Sequence, residues 1–260
     1  MRSAFLLFAL LAGCGAETAA APEPPRSACA QRLFEGSRFT VCSAKGGTIE
    51  IRTSGKDGRP YRTFAALEAA LGPRASQMAF AMNAGMFDEA GHAIGLLVED
   101  GRELHAINRR KGGGNFHLLP NGVFVVRRDG SAAVMRTTDY TPSQRIAFAT
   151  KSGPMLVIAG QLHPRYEPDG QSRNIRNGVG IAPDGTALFV ISEDFVSFGK
   201  FARLFRDSLK ARNALYFDGS VSALWDPANA RRDIGAELGP MVVVFRPAAS
   251  APGRAARATP

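Results

Sequence analysis

Apolar residues in this chain come in short bursts that stop abruptly at Gly, Pro, Asn, Asp or Ser. Bursts of this length, with β-branched or aromatic members and turn residues at their ends, read as strands. The pattern predicts strands at residues 39–42, 48–52, 78–82, 94–99, 122–127, 146–150, 155–158, 179–182, 187–191 and 214–217. Pro183-Asp184-Gly185 between two of them is a hairpin signal. Helical spacing appears in two places. Phe64, Leu67 and Leu71 share a face and stop at Gly72-Pro73, while Phe198, Phe201, Leu204, Phe205 and Leu209 form a stripe that Ser197 can cap and Asn213 can end. Many short strands with two clear helices predict an α+β fold, a single domain around a mixed or antiparallel twisted sheet with few flanking helices.

Several strands end on chemistry. The run 214–217 delivers Asp218-Gly219-Ser220, which is either a tight turn or the carboxylate, glycine and hydroxyl of a site. Other strand ends carry Asn83-Ala84-Gly85-Met86-Phe87-Asp88, Lys151-Ser152-Gly153-Pro154, Arg176-Asn177-Gly178-Val179-Gly180 and Ser192-Glu193-Asp194. The expectation is that these five ends meet in one place.

Composition narrows the class. The chain has 260 residues, 45% of them hydrophobic, with 28 glycines and a formal net charge of +9. A basic surface attracts polyanions in general. Without a lysine-rich run or a nucleic-acid motif, nucleic acid is not expected as a partner. The start, Met1-Arg2, an apolar run through Leu11, then Leu11-Ala12-Gly13-Cys14, is too short to span a bilayer and resembles a bacterial lipobox. That implies a signal peptide over residues 1–13, lipidation of Cys14, and membrane attachment facing the periplasm or cell exterior; an ordinary secretory signal cut elsewhere also implies export. Residues 14–28, rich in Ala and Pro, read as a tether, 29–247 as the domain and 248–260 as a disordered tail. Cys29 and Cys42 are left to pair in an oxidising compartment.

Common catalytic signatures are missing. There is no Gly-x-Ser-x-Gly elbow, Gly112-Gly113-Gly114 lacks the Lys-Ser/Thr of a phosphate loop, and His92, His105, His117 and His163 have no zinc spacing. No metal and no cofactor is expected. Chemistry must rest on carboxylates, amides, hydroxyls and cations.

The ordered strand ends resemble the bacterial branch of the phosphodiester glycosidase family, which includes an enzyme that removes N-acetylglucosamine from a sugar phosphodiester. The resemblance runs from about residue 78 to 245. The family's Asn-Gly-Gly-Phe-Phe is matched by Asn83-Ala84-Gly85-Met86-Phe87, its Ser-Gly-Pro by Ser152-Gly153-Pro154, and its arginine with a small-residue turn by Arg176 to Gly180. Its Asp-Gly-Gly-Gly-Ser is matched with fewer glycines by Asp218-Gly219-Ser220-Val221-Ser222, so that either Ser220 or Ser222 corresponds to the family serine. The resemblance implies a hydrolase acting on a glycosyl phosphodiester of an envelope or extracellular glycan. Cleavage at an anomeric carbon calls for a carboxylate as base or nucleophile and a cation for the departing phosphate. Asp218 is expected in the first role, with Glu193 as acid/base partner, and Arg176 as the phosphate clamp. Lys151 and Arg173 are further cation candidates. Asn83 and Ser152 are candidates for sugar or phosphate contacts, with Gly85, Gly153 and Gly219 allowing close backbone approach; Asn115 is a weaker candidate. A binding protein without catalysis, or a phosphodiesterase using metal gathered by Asp88, Glu193 and Asp218, are the alternatives.

Overall fold

The computed structural model describes residues 26–247; the expected signal peptide, Cys14, most of the tether and the tail lie outside them. In chain order the first strands are β1 (Cys29–Phe34), β2 (Ser37–Ser43) and β3 (Thr48–Arg52). Helix α1 (Phe64–Leu71) follows, then β4 (Met78–Asn83), β5 (Leu97–Glu99) and β6 (Arg102–His105). After α2 (Gly114–His117) come β7 (Asn121–Arg127), β8 (Ala132–Arg136), β9 (Ile146–Ile158), β10 (Gln161–Leu162), β11 (Asn177–Ile181) and β12 (Ala187–Ser192). The last part holds α3 (Phe198–Arg203), β13 (Ala214–Tyr216), β14 (Leu224–Asp226), β15 (Arg231–Arg232) and β16 (Met241–Phe245).

The fold is α+β and antiparallel, as the pattern predicts, but the strands make two sheets rather than one. An 11-stranded sheet runs β1-β2-β12-β11-β13-β9-β5-β6, with β7, β8 and β10 attached through β9, and a five-stranded sheet runs β15-β14-β4-β16-β3. Strand alternation sorts the side chains. Leu215 and Phe217 join Phe80, Met82, Val242 and Val244 in the core between the sheets. Ala214 and Tyr216 point the other way, onto the face covered by Phe201 and Phe205 of the α3 region. Helix α1 covers the outer face of the small sheet with Phe64 and Leu67, against Trp225 and Val243.

The helix signals hold. Thr63 caps α1 by accepting from Ala66 N–H at 3.1 Å, and Ser197 caps α3 by accepting from Lys200 N–H at 3.1 Å. The α3 stripe passes into a π-type turn at Leu204–Ser208, so the helix stops before Asn213. Asn213 instead accepts a hydrogen bond from Ala159 N–H, 2.9 Å. Residues 146–158 form one strand, so Lys151-Ser152-Gly153-Pro154 is not a turn between two. Pro154, which cannot donate to a ladder, pairs with Asn121 beside a register shift. Cys29 and Cys42 form a disulfide across paired positions of β1 and β2. Ser27 already belongs to the folded unit, since its hydroxyl donates to Asp226 at 2.7 Å.

Candidate active site

Asp218 follows β13 by two residues, so strand alternation carries it from the Tyr216 side of the sheet. Its backbone N–H donates to the Ala84 carbonyl at 3.1 Å, and its Oδ1 accepts from Ser220 N–H at 3.1 Å. Burial pushes its carboxyl above the usual carboxylate range, with the Ser220 hydrogen bonds opposing in part. The carboxylate has no cationic partner among the described ion pairs.

Amides hold this loop. Asn83 Nδ2 donates to the Asp218 carbonyl at 2.8 Å, and its Oδ1 accepts from Ala223 N–H at 2.8 Å and from Asn177 Nδ2 at 2.9 Å. Ser222 donates toward Asn177 Oδ1 and the Ile175 carbonyl, both at 3.2 Å. Asn83 is 1% exposed with most of its hydrogen-bonding capacity satisfied inside the protein, and its bonds tie the Asp218 loop to β4 and β11. Ser222 belongs to the same network. Ser220 is exposed on the loop.

Arg176 stands immediately before β11 and is 1% exposed. Its Nε donates to the Val196 carbonyl at 2.9 Å, Nη2 to the Ser172 carbonyl at 2.8 Å and hydroxyl at 3.1 Å, and Nη1 reaches the Tyr216 hydroxyl at 3.5 Å. Phe198 lies under the guanidinium, 3.6 Å from carbon to ring centroid. Every partner is neutral. Burial lowers its pKa, and nearby Tyr216 and Tyr166 counter only in part. A buried cation without an acid is costly, and arginine still stays charged.

An aromatic wall surrounds this cation. His163 stacks on Tyr166 with centroids 4.6 Å apart, Tyr166 on Phe198 at 4.9 Å, and Phe198 meets Tyr216 edge-on at 4.8 Å. The Tyr166 hydroxyl is buried with no partner among the described residues. Burial raises the Tyr216 phenol, and the Asp218 charge adds to the shift. Geometrically, the Tyr216 hydroxyl meets Arg176 while Gly219, next to Asp218, packs against the Tyr216 ring. Side chains are excluded where these groups crowd. A Cβ on Gly219 would collide with the Tyr216 ring and hydroxyl, one on Gly153 would sit 2.9 Å from the Met86 methyl and 3.1 Å from Tyr216, and one on Gly85 would lie 2.8 Å from the Lys151 carbonyl.

Four strand ends thus meet around Tyr216 and Asn177. The fifth joins only through Ser192, whose hydroxyl accepts from Arg176 N–H at 2.8 Å. Glu193 is committed elsewhere. Its Oε1 accepts from the Thr40 hydroxyl and from Arg231, each at 2.5 Å. Glu193 is thus held toward Thr40 and Arg231 and away from the Tyr216 neighbourhood where an acid/base partner of Asp218 is expected. Lys151 is 1% exposed, donates to the Phe116 carbonyl at 3.2 Å and lies 3.3 Å from the Phe116 centroid. Burial brings its pKa down to about 7. The Ser152 hydroxyl is buried without a partner among the described residues, and Arg173 and Asn115 are exposed. Among the described residues, no three His, Cys, Asp or Glu side chains gather as metal ligands, so Asp88, Glu193 and Asp218 do not converge.

Tyr216, Tyr166, Phe198 and Asn177 were not singled out from the sequence. Tyr216 had a signal, since it lies two residues before Asp218 on a strand. Phe198 reads as core because it opens an apolar stripe, yet it is only half-buried and carries the guanidinium.

Fold and site define an antiparallel α+β protein that presents a desolvated carboxylate and an acid-free guanidinium on one outer sheet face. Residues 76–245 match the family model for phosphodiester glycosidases, and the chain belongs to that family. It is 37% identical over 169 residues to the uncharacterized protein YigE of Escherichia coli K12, covering 65% of this chain and 66% of the relative. The catalytic domain of the zebrafish N-acetylglucosamine-1-phosphodiester alpha-N-acetylglucosaminidase, solved in a form auto-inhibited by its pro-peptide, is similar in fold. The TM-score is 0.58 at 14% identity, over 84% of this chain and 81% of that one. A hypothetical protein from Synechocystis is similar with a TM-score of 0.53 at 13% identity, over 84% of this chain and 61% of that one.

Proposed function

We propose that this protein is an exported hydrolase that cleaves the bond between an anomeric carbon and a phosphodiester oxygen in an envelope or extracellular glycan. The observation that carries this reading is Arg176, a buried guanidinium with only neutral partners, whose Nη1 reaches the Tyr216 hydroxyl against which the Asp218-Gly219 turn packs. A phosphodiester monoanion supplies the missing countercharge. Asp218 acts on the anomeric carbon, as nucleophile or as the base that takes a proton from attacking water. The C–O bond breaks, its electron pair leaves with the phosphate, and Arg176 stabilises the monoester that departs. Tyr166 and Tyr216 offer hydroxyls to the same phosphate. Asn83, Asn177 and Ser222 hold the Asp218 loop, and Lys151 serves the anion only when protonated. Glu193 takes no proton in this scheme. Family membership supports the reaction class. The Cys29–Cys42 disulfide supports an oxidising compartment, and the lipobox-like Leu11 to Cys14 supports attachment to a membrane facing the periplasm or exterior.

The test is incubation of the full-length protein with a GlcNAc phosphodiester such as UDP-GlcNAc, measuring free sugar and phosphate monoester separately. Sugar release is expected in the wild type and is expected to drop by about a thousandfold in Asp218→Asn. Because burial raises the Asp218 carboxyl, the acid limb of kcat/KM should lie above the ordinary carboxylate range. Ligand binding that survives in Asp218→Asn, with no sugar released by wild type from any glycosyl phosphodiester offered, would make the protein a binder.

A further inference from the structure

The chain between β4 and β5 leads out of the candidate site into a second cleft. Met86 packs where Gly153 lacks a side chain, and its carbonyl accepts from Ile94 N–H at 3.2 Å. Ile94, with His92 and Asp88, forms one wall of a cleft of about 510 Å³, and the segment 105–110 forms the other. Asn108 Nδ2 ties the walls together by donating to the Ile94 carbonyl at 3.2 Å. The second wall continues into α2, where the carbonyl of Asn115 lies against Gly153. The cleft therefore abuts the candidate site on two elements.

Its charge is one-sided. Arg109 and Arg110 line it and Lys111 follows, three consecutive cations, none of them in an ion pair among the described residues. Arg109 is oriented by a 3.0 Å hydrogen bond to the Tyr140 carbonyl. The lining carboxylate, Asp88, is engaged by its neighbour: its Oδ1 accepts from His92 N–H at 2.9 Å and faces the His92 ring nitrogen at 3.7 Å. Arg109 keeps N–H donors beyond the one given to Tyr140 and Arg110 stands next to it, so the two arginines bring cationic donors to the cleft that match a phosphate group.

We propose that this cleft is a subsite for a second phosphate, carried by the leaving-group side of the substrate beyond the scissile phosphodiester. This rests on the hydrolase reading above. The shared chemistry has two sources, a pyrophosphate-linked leaving group and a repeating phosphate backbone.

The anion subsite is tested first without catalysis, by calorimetric titration of tripolyphosphate into full-length wild type, Arg109→Gln/Arg110→Gln and Arg176→Met. Affinity is expected to fall about tenfold or more in the double variant and to persist in Arg176→Met. Both arginines sit on an exposed loop, and a melting curve checks that the double variant is folded. Equal affinity in wild type and double variant, or no binding by wild type, overturns the proposal. The leaving-group assignment is tested by the ratio of kcat/KM for UDP-GlcNAc to that for the methyl phosphodiester of GlcNAc, with a GlcNAc-capped glycerol-phosphate oligomer as third substrate. That ratio, or the oligomer's, should fall about tenfold in the double variant, and whichever falls identifies the source. Unchanged ratios for both overturn the assignment. Probe binding that behaves as expected with no hydrolysis of any substrate refutes the reaction instead and leaves the anion subsite standing.

Discussion

Arg52 and Arg176 are both largely buried arginines on sheet strands or their ends, and their surroundings are opposite. Arg52 in β3 sits among three carboxylates, with Glu50 at 2.7 Å and Glu99 and Asp100 at 2.8 Å, and its pKa is raised despite burial. Arg176 sits among carbonyls, hydroxyls and rings, and its pKa is lowered. Arg231 resembles Arg52, with Glu193 at 2.5 Å and Asp233 at 2.9 Å. Lys151 resembles Arg176, with a carbonyl and a ring. The lesson is that a compensated cation fastens the fold, whereas an uncompensated one carries a cost in the free protein that an anionic ligand removes.

The sharpest way to break this comparison is Arg176→Met. It is expected to lower kcat/KM by about a hundredfold to a thousandfold, and to abolish the thermal protection that a bound phosphodiester gives wild type. Its effect on unfolding in urea should be small, and a loss of stability as large as that of Arg52→Met would place Arg176 among the structural cations. Arg52→Met leaves Glu99 buried without its partner and Glu50 held by Arg74 alone, and should lose about 3–5 kcal/mol in the same denaturation, with kcat retained in the folded fraction.

Lys151 sharpens the comparison through pH. The folded protein keeps this amine neutral above about 7, whereas its ordinary value is 10.5. Between those values the unfolded chain binds more protons, so stability rises with pH through that window, is lost progressively as pH falls across it, and owes nothing further to this amine below about 7. Lys151→Met should flatten that rise by a few kcal/mol, measured by denaturation at pH 7 and pH 10. The smallest effect expected is that of Glu193→Gln. It should leave kcat within about threefold and lower stability by about 1–2 kcal/mol. A collapse of kcat with its basic limb removed would restore Glu193 as an acid/base group.

The sequence made the site's outline readable because its residues stand at strand ends, where apolar runs stop. Asp218 is the first polar side chain after such a run, Arg176 stands just before Asn177 at the head of another, and the meeting of the two ends follows from β11 and β13 being neighbours. Glu193 looked equivalent by the same criterion. Its commitment was hidden because Arg231 lies 38 residues further along the chain, on a strand of the other sheet. Asn83 looked available for the same reason, and its bonds to Asn177, Ala223 and Asp218 depend on pairings far apart in sequence. The two-sheet split was equally hidden. Only a short loop separates residues 39–42 from 48–52, yet β2 joins the large sheet and β3 the small one. Strand 146–158 was divided because Gly153-Pro154 has turn chemistry locally, while β7 and β13 hold it extended.

The disulfide gives the folded unit a mechanical character. β1 is the outermost strand of the large sheet, and its first residue is the one bonded to β2. Tension applied from the N-terminal side of Cys29 therefore passes through a covalent bond into Cys42, where β2 is flanked by β12. An edge strand held only by hydrogen bonds would unzip one pair at a time under such a pull. Here β1 and the part of β2 before Cys42 are shielded inside the covalent loop, and rupture would have to begin where Cys42 and Ser43 pair with β12.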